Sequence, residues 1–310
     1  MEHATDRAPD RASNGEATGH CPRCGASVAA GARFCSGCGA RQGAPDAAAA
    51  DPPLARARAA FLVDYEVTRE LGHGRSSAVY LARDLRLARR VALKVLLPDH
   101  AAASPEAGPR FLAEARTAAA LDHPHVLPVY HAGEQDGLRF LAMKPVDGGS
   151  LARLLDARGA LPLSVACHLL AGVAAGLAYA HAQGVAHGDL RPANVLLDAR
   201  HGRALVADVG LTPAHAPDAA DRPFLAPERR AGDPATVAAD QYAFGVLLRR
   251  LLGAGAPPIL LALSQRLTAA SPADRGPPLA ELVPRLEAEA ARVPGHLGAE
   301  LRALLKDGAA

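Results

Sequence analysis

Apolar and polar positions change their rhythm along the chain, and the change divides it. Tyr65–Leu71, Ala78–Arg83 and Arg90–Leu96 are short alternating or apolar runs and predict three strands separated by turns. Phe111–Leu121 carries apolar residues at helical spacing, with Glu114 in its middle. Val126–Glu134 and Arg139–Val146 predict two further strands. From Ser150 onward helical patterns dominate. Leu163–Gln183 is a long apolar helix, and Thr236–Leu252, Pro258–Ala269 and Pro278–Arg292 are three more. A sheet-rich part followed by a helix-rich part is an α+β arrangement with room for two lobes. No internal repeat is evident.

This folded domain spans residues 61–292, with a C-terminal tail at 293–310. Residues 1–19 are polar and without periodicity, and read as disordered. Residues 20–41 form a compact cysteine module. Residues 42–60, rich in Ala, Pro and Asp, read as a linker.

Composition narrows the function classes. The 310 residues are 49% apolar and 21% charged, with a formal net charge of +2 and no basic stripe, so a nucleic-acid role gains little support. Lys occurs only at 94, 144 and 306 among the 34 basic residues. That Arg bias, with the load of Ala and Pro, points to GC-rich coding and a bacterial source. The N-terminus lacks the apolar segment of a signal peptide. The longest apolar run, Leu169–Ala180, falls short of the roughly 20 residues of a membrane helix. The expectation is a cytoplasmic protein with no membrane segment.

Four of the five cysteines are paired near the N-terminus as Cys21-x-x-Cys24 and Cys35-x-x-Cys38, each pair followed by glycine (Gly25 and Gly39). Two such knuckles supply four thiolates, the set that a tetrahedral Zn²⁺ takes. A module this short cannot bury a core, so the metal would supply its folding energy. Two disulfides are the alternative, and a cytosolic setting disfavours them. Four protein ligands leave no open position for catalysis, so the role is structural, with a protein partner possible. Cys167, in an apolar helix, reads as a small buried hydrophobe.

The remaining chemistry is spread along the folded domain. Leu71, Gly72, Gly74, Ser77 and Val79 lie in a glycine-bearing turn between two strands. Glycine frees N–H groups for phosphate oxygens, though alone this is also the signature of a plain hairpin. Lys94 stands inside an apolar strand, where its charge needs a partner, and Glu114 is one candidate. Asp189 and Asn194 stand five residues apart in a loop before an apolar strand. A carboxylate that takes a hydroxyl proton and an amide that holds a metal are sensible roles for them. Asp208 ends a further short apolar strand, where a carboxylate suits Mg²⁺.

In order and spacing, these pieces resemble the eukaryotic-like Ser/Thr protein kinases of bacteria, over about residues 62–290. The matching text includes Gly72-x-Gly74-x-x-Ser77-x-Val79, Val91-Ala-Leu-Lys94, Glu114 and His123-Pro124. It continues through Gly148–Leu151, His187-x-Asp189-x-x-x-x-Asn194, Asp208-x-Gly210, Ala226-Pro-Glu228 and Asp240–Gly245. The resemblance implies a bilobal fold behind a small zinc ribbon, with a sheet-rich N-lobe and a helical C-lobe. It implies transfer of the γ-phosphoryl group of ATP, with Mg²⁺, to Ser/Thr hydroxyls of a protein substrate it does not identify. Lys94 would hold the α/β-phosphates and pair with Glu114; Asp189 would be the base; Asn194 and Asp208 would bind Mg²⁺. Arg191 stands where the family usually has Lys and would contact the γ-phosphate. Val79, Ala92 and Leu196 would sandwich the adenine, with Met143 as gatekeeper and Lys144 and Val146 in the hinge. Glu228 and Arg275 would form an ion pair, and Asp240 would brace the catalytic loop.

Departures from the family pattern shape the remaining expectations. Ser77 replaces a glycine. Gly188 replaces the Arg that receives an activation-loop phosphate, so control by loop phosphorylation is not expected. Val209 replaces a Phe. Thr212 is the single hydroxyl between Asp208 and Glu228. Asp221 stands where the family has a Thr that bonds the catalytic Asp, so it would disturb the base or repel acceptors. One helix of the C-lobe is missing after Leu252. These departures leave a second class of function open, a nucleotide-binding pseudokinase that acts as a scaffold.

Overall fold

The structure, a computed structural model, describes residues 19–20, 27–28, 52–74, 77–96, 107–211, 218–292 and 297–306. The chain divides into two units, Met1–Ala55 and Arg56–Ala310. In the smaller, β1 (Gly19–His20) and β2 (Ser27–Val28) pair antiparallel. The four module cysteines and Thr212 lie outside the described residues.

In the larger unit, β3 (Tyr65–His73), β4 (Ser77–Asp84), β5 (Arg89–Leu96), β6 (Val129–Gln135) and β7 (Leu138–Met143) form an antiparallel sheet of order β3-β4-β5-β7-β6. Alternation sets its faces. On β4, Ala78, Tyr80 and Ala82 are buried while their neighbours are not. Helix α2 (Ala107–Ala119) lies against β6 and β7, burying Phe111 and Ala115 with Leu96 and Leu141. The strand expected at Val126–Glu134 begins only at Val129. Pro128 has no N–H for a ladder. Val126 and Leu127 pair instead with Val206 of the other lobe, Leu127 N donating to its carbonyl at 2.8 Å.

The second lobe is built around α4 (Leu163–Ala182). By length and mean hydropathy α4 resembles a membrane span, and 72% of its apolar window is buried. Its core role accounts for that character. Around it stand α3 (Leu151–Arg158), the hairpin of β8 (Val195–Asp198) and β9 (Arg203–Val206), and α5 (Pro227–Ala231). Then come α6 (Val237–Leu252), α7 (Pro258–Leu267), α8 (Leu279–Ala291) and α9 (Leu297–Lys306). Thr236 caps α6, its hydroxyl accepting from Ala239 N at 3.1 Å. A single turn, Gly253–Gly255, joins α6 to α7, so the lobe lacks the helix that the sequence also omits.

Two boundaries read from composition are corrected. Residues 52–60 belong to helix α1 (Pro52–Phe61) rather than to a linker. Ala57, Ala60 and Phe61 are buried, and Phe61 meets Phe140 edge-on at 4.8 Å. Arg58 donates to the carbonyls of Val67 (3.2 Å) and Thr68 (2.9 Å) on the edge strand. The tail at 293–310 contains α9, whose Leu301 is fully buried, and Arg158 donates to Leu304 O at 3.3 Å.

Among the described residues, Arg275 is the largest fully buried side chain. Its guanidinium forks onto both Glu228 oxygens at 2.5 and 2.6 Å and onto the carbonyls of Ala238, Ala269 and Ala270. Glu228→Ala leaves that charge buried without its counter-ion, so denaturant unfolding should show a loss of about 3–5 kcal/mol. The Arg275 fork also holds the Glu228 carboxyl below its ordinary value of 4.5. A depressed folded value means stability that is fully present above 4.5 and fades as pH falls through the lower folded value. The wild-type midpoint should fall on acidification through that window, and the Glu228→Ala midpoint should fall less.

Candidate active site

Between the lobes, β4, β5, the β7 exit and the β8–β9 hairpin bring one apolar cluster together. Ala92, Leu127, Met143, Leu205 and Ala207 are its buried members, with Val79, Val146 and Leu196 packed on them. Register explains part of this: Ala92 pairs with Met143, and Val79 with Lys94. The cluster gathers five residues named from sequence, Val79, Ala92, Met143, Val146 and Leu196, and adds Leu127, Leu205 and Ala207. Leu71 and Gly72 lie on β3 outside it; Leu71 is exposed, and a Cβ on Gly72 would meet nothing within 4 Å. Gly74 N bonds Ser77 O at 2.8 Å across the turn. Lys144 places its ammonium on Asp198 at 2.7 Å, while its backbone N–H bonds Pro128 O at 3.0 Å. Burial pushes the Asp198 carboxyl up, but bonds from Lys144 and His201 overcome this and hold it far below the carboxylate range.

Charged groups converge beside the cluster. Lys94 Nζ lies 2.5 Å from Asp208 Oδ2. Burial would raise the Asp208 carboxyl, but Lys94 reverses this and holds it below its ordinary value. Glu114 lies 3.8 Å from Arg110, one turn earlier on α2, and the ion pair described for Lys94 is with Asp208. Asp208 has a left-handed backbone, φ 59°, which is uncommon outside glycine and typical of functional positions.

The loop before β8 carries the second carboxylate. Asn194 donates to Asp189 O (2.8 Å) and Oδ2 (3.0 Å), and Arg191 Nε donates to the same Oδ2 at 3.2 Å. Both of these Asn194 bonds are donated by its side-chain nitrogen. The Asn194 side-chain oxygen and the Asp208 carboxylate are donors of the kind that Mg²⁺ takes, so these two residues could hold such an ion. Arg191 Nη1 also pairs with Asp221. Burial raises the Asp221 carboxyl; Arg191 opposes this without overcoming it.

The loop is held from below by Asp240, which is 1% exposed. Its carboxylate accepts from His187 N (2.7 Å) and Gly188 N (2.9 Å), and its Oδ2 lies 2.8 Å from His181 Nε2. Gly188 sits at φ 78°, and a Cβ there would come within 2.8 Å of the Ala235 Cβ. Glycine is therefore demanded at this position both by backbone conformation and by space.

Comparison with known proteins identifies the two domains. The protein kinase domain model matches residues 65–268, and the zinc-ribbon domain model matches residues 20–42. The serine/threonine-protein kinase PrkC of Bacillus subtilis is 34% identical over 196 residues, 61% of this chain and 30% of that protein. The serine/threonine-protein kinase PknD of Mycobacterium tuberculosis is 37% identical over 228 residues, 71% of this chain and 34% of that protein. The chain thus spans about a third of the length of these curated relatives. Among solved structures, the PknI kinase domain of Mycobacterium tuberculosis superposes with a TM-score of 0.60 at 33% identity, covering 73% of this chain and 96% of that one. With the kinase-domain match covering most of the chain, from the sheet and the cleft through α7 of the helical lobe, the chain belongs to the protein kinase family and resembles, within it, the bacterial serine/threonine kinases.

Proposed function

We propose that the chain is an ATP- and Mg²⁺-dependent kinase that phosphorylates Ser/Thr hydroxyls of proteins. One observation carries this reading: beside the apolar slot stand two bonded pairs, Lys94 on Asp208 at 2.5 Å and Asn194 on Asp189 at 3.0 Å. The slot of Val79, Ala92, Met143 and Leu196 takes the adenine. Lys94 exchanges Asp208 for the α/β-phosphates. Asp189 accepts the proton of the attacking hydroxyl as its oxygen bonds the γ-phosphorus and the bond from that phosphorus to the ADP oxygen breaks. Arg191 offers a guanidinium edge to the transferred group. Mg²⁺, held by Asn194 and Asp208, would neutralise charge on the phosphates. Gly188 has no side chain to receive a loop phosphate, which supports activity without activation-loop phosphorylation.

We also propose that Cys21, Cys24, Cys35 and Cys38 bind one Zn²⁺ as a structural ribbon available to a protein partner. The zinc-ribbon match over residues 20–42 supports this.

Transfer of labelled γ-phosphate from ATP to a basic protein acceptor tests the first proposal. Wild type should transfer, and Lys94→Ala and Asp189→Asn should each lose about 100-fold or more, as expected for groups that act directly in phosphoryl transfer. ATP·Mg²⁺ stabilisation without transfer at any protein concentration would establish the scaffold reading instead. Metal analysis tests the second: one zinc per wild-type chain, lost in Cys21→Ser/Cys24→Ser.

A further inference from the structure

Asp221 is the residue whose sequence reading and structural placement differ most. An acidic side chain there reads as a threat to the base. The structure puts it to a different use. Asp218 Oδ1 accepts from Ala220 N and Asp221 N, both at 3.0 Å, and a single turn, Arg222–Phe224, follows. This fold of the segment turns the Asp221 carboxylate onto Arg191 Nη1, while Arg191 Nε reaches Asp189 Oδ2 at 3.2 Å. One guanidinium is therefore held between two carboxylates, all three side chains being largely shielded from solvent. The planar fork of Arg can bridge two acceptors along different edges, which the single ammonium of Lys cannot do with fixed geometry. Arg191 and Asp221 are both departures from the family pattern, and they meet each other.

We propose that Asp221 is a positioning residue for phosphoryl transfer: by anchoring the far edge of Arg191 it fixes the near edge on Asp189 and ties the segment 218–225 to the catalytic loop. This rests on the kinase reading above. It makes the ionic Arg191–Asp221 pair one functional unit. Removing either member then frees the same carboxylate, and removing both does no further harm.

The test is a cycle of wild type, Asp221→Asn, Arg191→Lys and Arg191→Lys/Asp221→Asn, with kcat and KM measured for ATP and for a basic protein acceptor. Asp221→Glu serves as the conservative rescue, and thermal melts confirm that each variant is folded. Each single variant should lose about 10-fold in kcat with KM for ATP changed less than about 3-fold, and the double variant should be no worse than the poorer single, because coupled residues are non-additive. Asp221→Glu should recover most of the loss. Wild-type transfer with an unchanged kcat in Asp221→Asn, or with losses that multiply in the double variant, overturns the positioning role alone. Absence of transfer by the wild-type chain overturns the kinase reading and the positioning role with it.

Discussion

A carboxylate taken out of water has to be answered by donors, and Asp240 finds them in the loop that carries Asp189 and on α4. At 1% exposure it accepts from the backbone of His187 and Gly188 and bonds the His181 ring. Those bonds fix the backbone immediately before Asp189. They also fix Gly188 in a conformation and a space that exclude a side chain. From that anchored backbone, Asp189, Arg191 and Asn194 all project toward one point, and Asn194 and Arg191 share an oxygen of Asp189. The placement of these three side chains therefore depends on a group buried in the helical lobe.

The opposite wall depends on the sheet. Antiparallel register places Lys94 beside Val79 on one side and Leu141 on the other, so an ammonium emerges from an otherwise apolar layer at the mouth of the slot. Asp208 reaches it from a left-handed residue following β9. This contact joins the sheet-rich lobe to the helical lobe at the place where a nucleotide would intervene. The parallel bridge of Val126 with Val206 supplies a second, purely backbone connection between the lobes. Arg275 and Glu228 play the corresponding part below, locking the segment that follows Asp221 onto α6 and the turns beyond it.

Much of this was legible in sequence where chemistry conflicts with its surroundings. Lys94 stood out as a lysine in an arginine-rich chain and inside an apolar strand. Asp189, Asn194 and Asp208 stood out as polar residues bounding short apolar strands. Their convergence rested on order and spacing, which the shared fold converts into distance. Partner choice was less legible. Lys94 and Asp208 are separated by 114 residues, while the nearer acidic candidate, Glu114, lies 3.8 Å from Arg110 on its own helix. The Arg191–Asp221 pair depends on a turn held by Asp218, which no periodicity marks. Helices α1 and α9 were missed because alanine carries little hydropathy signal and flanking prolines and glycines read as breakers. Burial of Phe61 and Leu301 defines them in three dimensions.

In the proposed mechanism Lys94 and Asp208 hold each other only until a nucleotide and a metal ion separate them. A crystal structure with Mg²⁺ and a non-hydrolysable ATP analogue tests this most directly. Mg²⁺ should lie about 2.1 Å from oxygens of Asp208 and Asn194, with Lys94 moved onto the α/β-phosphates. A nucleotide seated in the slot with no metal at these two residues, or with Lys94 still on Asp208, would contradict it.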